Sequence, residues 1–277
     1  METYYVVKKG RKPGIYKTWA ECKAEVDSFK YAIYKKFGSF IEANEFYNAP
    51  INENRFAKST DKIDLNGSLK VSDEDMNKIK AMVTNIKSSQ FNNELNYNVN
   101  NWNIIDNEIY LFTDGSSRKS KEFFNSGVGV YLGFQCTNIK EQYNNKTNNQ
   151  CELMGLDYAF KLIVRYYREL SEINKVIKIV SDSEYSIKAC SVWLTAWKNN
   201  NWKTTKGDDV KNRESIESID GSMQRIKVLN CHLPVDKKIK VKLIHVNSHQ
   251  PPNMTDKTLF GIWFGNYVAD GLSQNTI

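Results

Sequence analysis

Four acidic residues of this chain occupy positions where folded proteins rarely place a charged residue that has no function. Asp114 closes an apolar run, YLFTDGSS, and Gly115 after it predicts a sharp turn at the end of a strand. Asp182 closes a second run, KIVSDSEY, while Glu152 and Asp270 fall within predicted helices. In an open sheet with helical crossovers, neighbouring strands bring their carboxyl ends to one crevice. We therefore expect the two aspartates to lie side by side, with the other two acids reaching them from helices.

Carboxylates gathered in this way are typical of a divalent-metal site. They repel one another and raise each other's pKa unless cations are bound. Oxygen ligands favour a hard ion, so the set indicates magnesium rather than zinc. Two such ions, about 4 Å apart, can activate a water and stabilise the leaving oxygen in phosphodiester hydrolysis. A single aspartate at a strand end is more often a cap or a turn former, but four acids in this order favour the metal site.

The elements that must position these acids lie in residues 108–277. There a strand meander followed by alternating helices and strands predicts an α/β fold with a mixed sheet. Residues 1–48 form a separate block with two short strands, in which Thr18 and Glu21 predict a capping box at a helix start. Residues 49–107 are rich in Asn, Ser, Lys and Asp, and predict a flexible linker. The predicted helices of the linker and the last block span 72–86, 150–167, 183–199, 212–230 and 264–275.

Composition narrows the class of protein. The 277 residues carry a formal net charge of +7, and this basic balance suggests a polyanionic partner. The excess of basic residues lies in residues 1–48 and 109–277. Five cysteines, none spaced as C-x-x-C, and three histidines argue against a zinc cluster and against a disulfide framework. No apolar run approaches a membrane span and no signal or transit peptide is evident, so we expect an intracellular protein of the cytoplasm, the nucleus or a virus.

Several motifs together resemble those of the type 1 ribonucleases H. They are TDGS, NNQCELMGL, SDSEYSI, WLTAWKNNNWKT and GNYVADGL, and the resemblance runs from about residue 109 to 275. In addition, YYVVKKGRKPGIYKTW and YKKF resemble the N-terminal hybrid-binding domain of the eukaryotic enzymes. The resemblance implies a ribonuclease H-like mixed five-stranded sheet with helices on both faces, preceded by a small αβ hybrid-binding domain. It also implies an endonuclease that hydrolyses the RNA strand of RNA–DNA hybrids.

The resemblance further implies roles for individual residues. The four acids would hold two Mg²⁺ ions, for which Mn²⁺ can substitute. Asn148 and Asn149 match the residues that contact the RNA 2′-OH, a group that donates and accepts as a side-chain amide does. The expected contacts to the DNA strand come from both domains and are Thr147, Trp193, Trp197, Asn212, Tyr5, Trp19, Tyr34, Lys35 and Lys36. Double-stranded RNA is a second ligand implied for the first domain, and the protein is expected to be a monomer that does not bind membranes.

The stretch WLTAWKNNNWKT admits two interpretations. Trp193 and Trp197, four residues apart, could pack into a core from one helix face. The resemblance instead implies that they flank the channel for the deoxyribose, while Trp202 is a packing residue. The lysines expected to meet phosphates are Lys198, Lys203, Lys206 and Lys211.

One feature departs from the family pattern. His249 in VNSHQPP matches a mobile catalytic histidine, but it precedes Asp270 by 21 positions, roughly double the common spacing. The intervening apolar residues, Trp263 among them, predict a longer lid. His245 and His232 fit the catalytic role less well.

Two other functions compete with hybrid-directed hydrolysis. A non-catalytic RNA–DNA hybrid-binding protein would keep the N-terminal block and lose a carboxylate, and none of the four is missing. A DNA strand-transfer enzyme on a related fold would carry a different acidic triad and a module that binds DNA ends.

Overall fold

The chain divides into two compact units, Met1–Arg55 and Phe56–Ile277. The computed structural model describes residues 3–27, 29, 32–48, 61–65, 71–91, 97–119, 124–173, 176–248 and 250–277.

In its described residues, the first unit is a three-stranded antiparallel sheet with two helices. Its elements are β1 (Tyr4–Lys9), β2 (Gly14–Tyr16), α1 (Trp19–Val26), β3 (Ile33–Phe37) and α2 (Phe40–Asn48), and the strand order is β2-β1-β3. Alternate residues of β1 face the two helices, since Val6 packs with the side chains of α2 and Val7 with those of α1. The predicted capping box is confirmed: Thr18 Oγ1 accepts from the backbone N–H of Glu21, whose carboxylate accepts from the backbone N–H of Thr18. These paired bonds fix where α1 begins.

The second unit is built on a mixed sheet. Its strands are β4 (Asp61–Ile63), β5 (Ser88–Ser89), β6 (Ile104–Ile105), β7 (Glu108–Lys119), β8 (Phe124–Tyr131), β9 (Asn138–Asn144), β10 (Ile177–Ser181) and β11 (Val241–Val246). Its helices are α3 (Asp73–Val83), α4 (Asn148–Arg165), α5 (Tyr167–Ile173), α6 (Glu184–Lys188), α7 (Leu194–Asn199), α8 (Arg213–Cys231) and α9 (Lys257–Ser273). Among the described residues the strand order is β4-β11-β10-β7-β8-β9-β5, with β6 paired to β7.

The five long strands form the predicted mixed sheet. β11, β10 and β7 pair in parallel, whereas β7, β8 and β9 form an antiparallel meander. Alternate residues of β7 face opposite sides: Ile109 and Leu111 contribute to one core cluster, Tyr110 and Phe112 to the other. Helices α4 and α8 cover the first face, and α9 with α3 covers the second. The prediction of helices on both faces is thereby confirmed.

The prediction of a flexible linker over 49–107 is wrong for its described residues. β4 extends the sheet beyond β11 and β5 extends it beyond β9, so the sheet exceeds the predicted five strands. The predicted helix is α3, and its Ile79 is buried in the core under α9, while Tyr97 and Trp102 are buried in the other core. These segments are short and polar, and they are ordered by pairing and burial against elements far along the chain.

The last helix begins at Lys257 rather than at residue 264. The residues that predicted a longer lid, including Ile262, Trp263 and Phe264, are instead buried in the added turns of α9. All five cysteines are free thiols, as predicted. Within the described part of the chain, no helix has both the length and the apolar character needed to cross a membrane.

Candidate active site

The edge of the parallel strands positions the first acidic residue. The β7–β10 ladder ends at the pair Phe112–Val180, and Asp114 lies two residues beyond it, where the crevice opens. The predicted strand end is wrong, because β7 continues through Asp114 in its pairing with β8. Gly115 therefore makes no turn. A Cβ at this position would lie 2.1 Å from the backbone nitrogen of Glu152, so the glycine admits the first turn of α4 against the strand.

Three of the four predicted carboxylates meet at this crevice. One ligand atom each from Asp114, Glu152 and Asp182 lies within 4.8 Å of the other two. Asp182 directly follows β10, as predicted, and is half-buried, whereas Asp114 and Glu152 are buried. Asp270 on α9 lines the same cavity, but it is not part of the three-residue cluster, and its Oδ1 accepts a hydrogen bond from the side-chain amide of Gln274.

The cavity has a volume of about 350 Å³ and a mostly polar lining. Besides the four acids, it is lined by Gly115, Ser116, Ser117, Arg118, Asn148, Ser183, Ser248 and Gln274. Gln274 could have been found from the sequence, because it follows Asp270 by four positions and therefore shares its helix face.

Burial and mutual repulsion raise the pKa of the central acids. For Asp114, burial is the largest cause and the Asp182 carboxylate the next, while a hydrogen bond from Ser273 acts in the opposite direction; the pKa lies well above its ordinary value. Burial likewise raises the pKa of Glu152 well above its usual range, followed by the charges of Asp114 and Asp182. Because the carboxylates repel one another when they are all ionised, a bound cation would stabilise the cluster.

The cluster fits a divalent cation. Within the described residues, the buried Oε2 of Glu152 has no hydrogen-bond partner, which is costly for a carboxylate unless another group meets it. An all-oxygen donor set suits magnesium or manganese. Asp114, Glu152 and Asp182 could hold such an ion, with Asp270 at the cavity wall.

The residues expected to contact RNA start helix α4. Asn148 lines the cavity, and its Nδ2 donates to Glu152 Oε1 at 3.3 Å. Asn149 is exposed beside it. Thr147 is the N-cap of this helix and forms a capping box with Gln150, so its hydroxyl already has a structural partner.

The tryptophans of the basic segment lie at the edge of the core. Trp193 and Trp197 are half-buried, and their ring centroids are 5.4 Å apart. Each therefore combines core packing with an accessible surface. Trp202 is buried with the Arg213 guanidinium over its ring, which confirms its packing role.

Two of the four predicted phosphate-contacting lysines have acidic partners. Lys198 Nζ lies 2.5 Å from an Asp220 carboxylate oxygen, and Lys203 Nζ lies 2.6 Å from one of Asp209. These contacts offset part of the positive charge that the sequence alone assigns to the segment.

Asn212 lines a second cavity, also of about 350 Å³. It has a left-handed backbone, with φ 59°, and its Nδ2 donates to the Tyr185 hydroxyl at 3.2 Å. Lys146 and Arg213 line this cavity as well and were not singled out from the sequence. Glu214 lines it too, so two cations and one acid leave this recess cationic on balance. Thr147 is next to Lys146 in the chain but is not among the lining residues.

In the first unit, four of the five predicted DNA-contacting residues share one face. Trp19 lies between Tyr5 and Tyr34, with ring centroids 5.8 and 5.7 Å away. Lys36 pairs with Tyr5 across the sheet, and its Nζ lies 5.9 Å from that ring centroid. Lys35 differs, because neighbouring strand residues point to opposite faces and its Nζ lies over the Phe37 and Phe46 rings on the α2 side.

Of the three histidines, His249 lies outside the described residues. His245 is buried in β11, and its Nε2 lies 3.2 Å from the Asp182 carbonyl oxygen. This contact is to the backbone of an acidic residue of the cluster, not to its carboxylate.

Comparison with known proteins assigns the chain to a family. The RNase H family model matches residues 106–276, and the model described as "Ribonuclease H1 N-terminal domain" matches residues 3–47. Ribonuclease H1 of Rattus norvegicus is 25% identical over 240 residues, which cover 83% of this chain and 82% of the relative. Ribonuclease H of Schizosaccharomyces pombe is 29% identical over 229 residues, covering 77% and 83%.

Among solved structures, the RNase H domain of prototype foamy virus aligns with 21% identity and a TM-score of 0.40, covering 60% of this chain and 92% of the viral one. The family model spans more than half of the chain, and the two ribonuclease H relatives align with most of its length. The chain belongs to the ribonuclease H family and is a ribonuclease H.

Proposed function

We propose that this enzyme hydrolyses the RNA strand of RNA–DNA hybrids by a two-metal-ion mechanism at the cleft of Asp114, Glu152, Asp182 and Asp270. The observation that carries the proposal is the cluster of three carboxylates within 4.8 Å, two of them buried. Such a cluster is unfavourable without cations, and it lines a polar cavity of about 350 Å³. Membership in the ribonuclease H family supports the reaction class.

The carboxylates would hold Mg²⁺, with Mn²⁺ as a substitute. When bound, two such ions supply the charge that activates a water and stabilises the departing oxygen. Asp114, Glu152 and Asp182 already lie close enough together to share an ion. Asp270 accepts a hydrogen bond from Gln274 in the same cavity. The protein's own contribution is to fix these ligands on strands and helices that pack against one another, so little reorganisation is needed at the moment of reaction.

Selection of the RNA strand would come from the start of α4. The side-chain amides of Asn148 and Asn149 can both donate a hydrogen bond to a 2′-OH and accept one from it, and DNA lacks this group. Asn148 also donates to Glu152, so a ribose held by this amide would lie next to an acid of the cluster. We propose that the two asparagines contact the RNA strand beside the cleavage site.

The DNA strand would run over the surfaces lined by Trp193, Trp197, Thr147 and Asn212. Half-buried indole rings offer flat apolar surface to a deoxyribose, and the cationic recess at Asn212 offers partners to a phosphate. In the first unit, the face of Tyr5, Trp19, Tyr34 and Lys36 combines stacked rings with a cation, which suits a nucleic-acid backbone. Binding of double-stranded RNA by this unit and a monomeric state stay predictions.

Asp182→Asn tests the metal role. It keeps the shape of the side chain and removes one ligating charge, so cleavage of a labelled RNA–DNA hybrid in Mg²⁺ should fall by about three or more orders of magnitude. Hybrid affinity, measured with the same duplex by fluorescence anisotropy, should stay equal or improve because repulsion of phosphate decreases. The matched control is Asp157→Asn, a buried aspartate of α4 paired with Lys161, which should keep near wild-type cleavage.

Two outcomes would contradict the proposal. Near wild-type cleavage by Asp182→Asn would remove this residue from the metal site. Tight hybrid binding by the wild-type protein without cleavage in Mg²⁺ or Mn²⁺ would favour the non-catalytic hybrid-binding function instead.

A further inference from the structure

A buried serine connects the last helix to the first carboxylate. Ser273 is 1% exposed and lies three residues after Asp270, in the final turn of α9. Its Oγ lies 2.5 Å from Asp114 Oδ2 and 2.9 Å from the carbonyl oxygen of Asp270. The shorter contact is a hydroxyl donating to a carboxylate, the strong charge-assisted kind of hydrogen bond.

The backbone of Ser273 is also fixed in place. Its carbonyl oxygen accepts from Ser116 Oγ at 2.8 Å and from Gln142 Nε2 at 3.3 Å. A Cβ at Gly127 of β8 would lie 1.9 Å from the same oxygen, so the glycine is what lets the end of α9 settle onto the sheet. The Cα of Ser273 is therefore held against the sheet, which places its hydroxyl beside Asp114.

We infer that Ser273 is a positioning residue for Asp114 and that its hydroxyl strengthens divalent-metal binding at the carboxylate cleft. The hydrogen bond occupies one oxygen of Asp114 and restricts rotation of the carboxylate. A ligand that is already oriented loses less side-chain entropy when an ion binds. Partners of this kind, one contact away from the metal, typically change metal affinity by about 10- to 100-fold. The inference rests on the proposed metal role of the cleft.

Ser273→Ala removes the hydroxyl and leaves the helix backbone unchanged. The matched control is Ser171→Ala on α5, because Ser171 is likewise buried and its Oγ donates to the carbonyl oxygen three residues earlier, that of Arg168. It therefore loses the same kind of helix hydrogen bond without losing a contact to a carboxylate.

Mg²⁺ affinity would be measured in three ways on wild type and both variants. Isothermal titration with MgCl₂ and the rise of the melting midpoint with MgCl₂ report binding without turnover, and hybrid cleavage against Mg²⁺ concentration reports it with turnover. Ser273→Ala should need about tenfold more Mg²⁺ in all three, with an unchanged KM for the hybrid at saturating Mg²⁺. Ser171→Ala should match wild type in its Mg²⁺ requirement.

The outcomes separate this inference from the proposed function. A wild-type protein that shows no Mg²⁺ binding overturns both. If wild type binds Mg²⁺ and Ser273→Ala has the same Mg²⁺ requirement, only the positioning role is overturned. An equal shift in Ser171→Ala would also overturn it, because the effect would then follow from loss of a buried hydroxyl in general.

Discussion

The metal-free enzyme should become more stable when one carboxylate of the cluster is neutralised. Asp114→Asn is the chosen change, because Asp114 is buried and lies in the group with Glu152 and Asp182. Asparagine has nearly the same shape and can still accept the hydrogen bond from Ser273. The substitution therefore removes charge repulsion with little change in packing, and it is expected to cost activity while raising stability.

The size of the effect follows from the geometry. Two ionised carboxylates at 4.8 Å, the upper bound on the separation of the ligand atoms, repel by about 3 kcal/mol at an effective dielectric constant of about 20. Weakening the charge-assisted hydrogen bond from Ser273 costs about 1 kcal/mol. The net gain in the free energy of unfolding is then about 2 kcal/mol, which raises the melting midpoint by about 4–8 °C for a domain of this size.

The gain should depend on pH. In the folded, metal-free protein the pKa values of Asp114 and Glu152 are raised by burial and by neighbouring carboxylates. Protons are then held more tightly in the folded than in the unfolded state. Their contribution to stability is present in full below the unfolded pKa of about 4 and is lost as pH rises through the raised folded values. Wild type should melt lower at pH 7.5 than at pH 5.5 in EDTA, and Asp114→Asn should reduce that difference.

Melting curves by circular dichroism, in EDTA and in about 10 mM Mg²⁺, measure the difference in melting midpoint between Asp114→Asn and wild type. Asp236→Asn, an exposed aspartate, is the control and should shift the free energy of unfolding by no more than about 0.5 kcal/mol. In Mg²⁺ the advantage of Asp114→Asn should vanish, because the ion stabilises only the intact cluster. A variant that melts at or below wild type in EDTA at pH 7.5 would refute the repulsion argument.

Two further predictions concern nucleic-acid binding and turnover. Lys36→Ala should lower the slope of log hybrid affinity against log salt concentration by about one phosphate contact. Lys35→Ala, on the opposite face of β3, should leave that slope unchanged. Equal slopes for both variants would place the binding surface elsewhere. His249→Ala should lower turnover by about 10- to 100-fold with hybrid affinity unchanged, and His232→Ala should leave turnover alone. Single-turnover and steady-state rates decide the second prediction, and wild-type rates for His249→Ala in both would show that this histidine has no role.

Some errors of sequence interpretation have identifiable physical causes. Gly115 after Asp114 indicated a turn, but the strand continues because β8 pairs with it. The segments 61–63 and 88–89 gave no strand signal, since two or three polar residues cannot show periodicity. Lys35 and Lys36 are both expected DNA contacts, although the two-residue period of a strand sends them to opposite faces. The first two outcomes depend on a pairing strand elsewhere in the chain, whereas the third follows from the alternation of side chains within β3 itself.

The sequence by itself determined the order of the four acids, the family, the main strands and the capped start of α1. These are local or pattern-based properties: a capping box needs only Thr18 and Glu21, and a buried strand needs only its own apolar run. Tertiary structure decided which carboxylates meet, that Asp270 lines the same cavity outside the three-residue cluster, and that Ser273 reaches Asp114 across 159 positions of chain. Side-chain direction and close approach are set by packing between distant segments, and no local pattern specifies that packing.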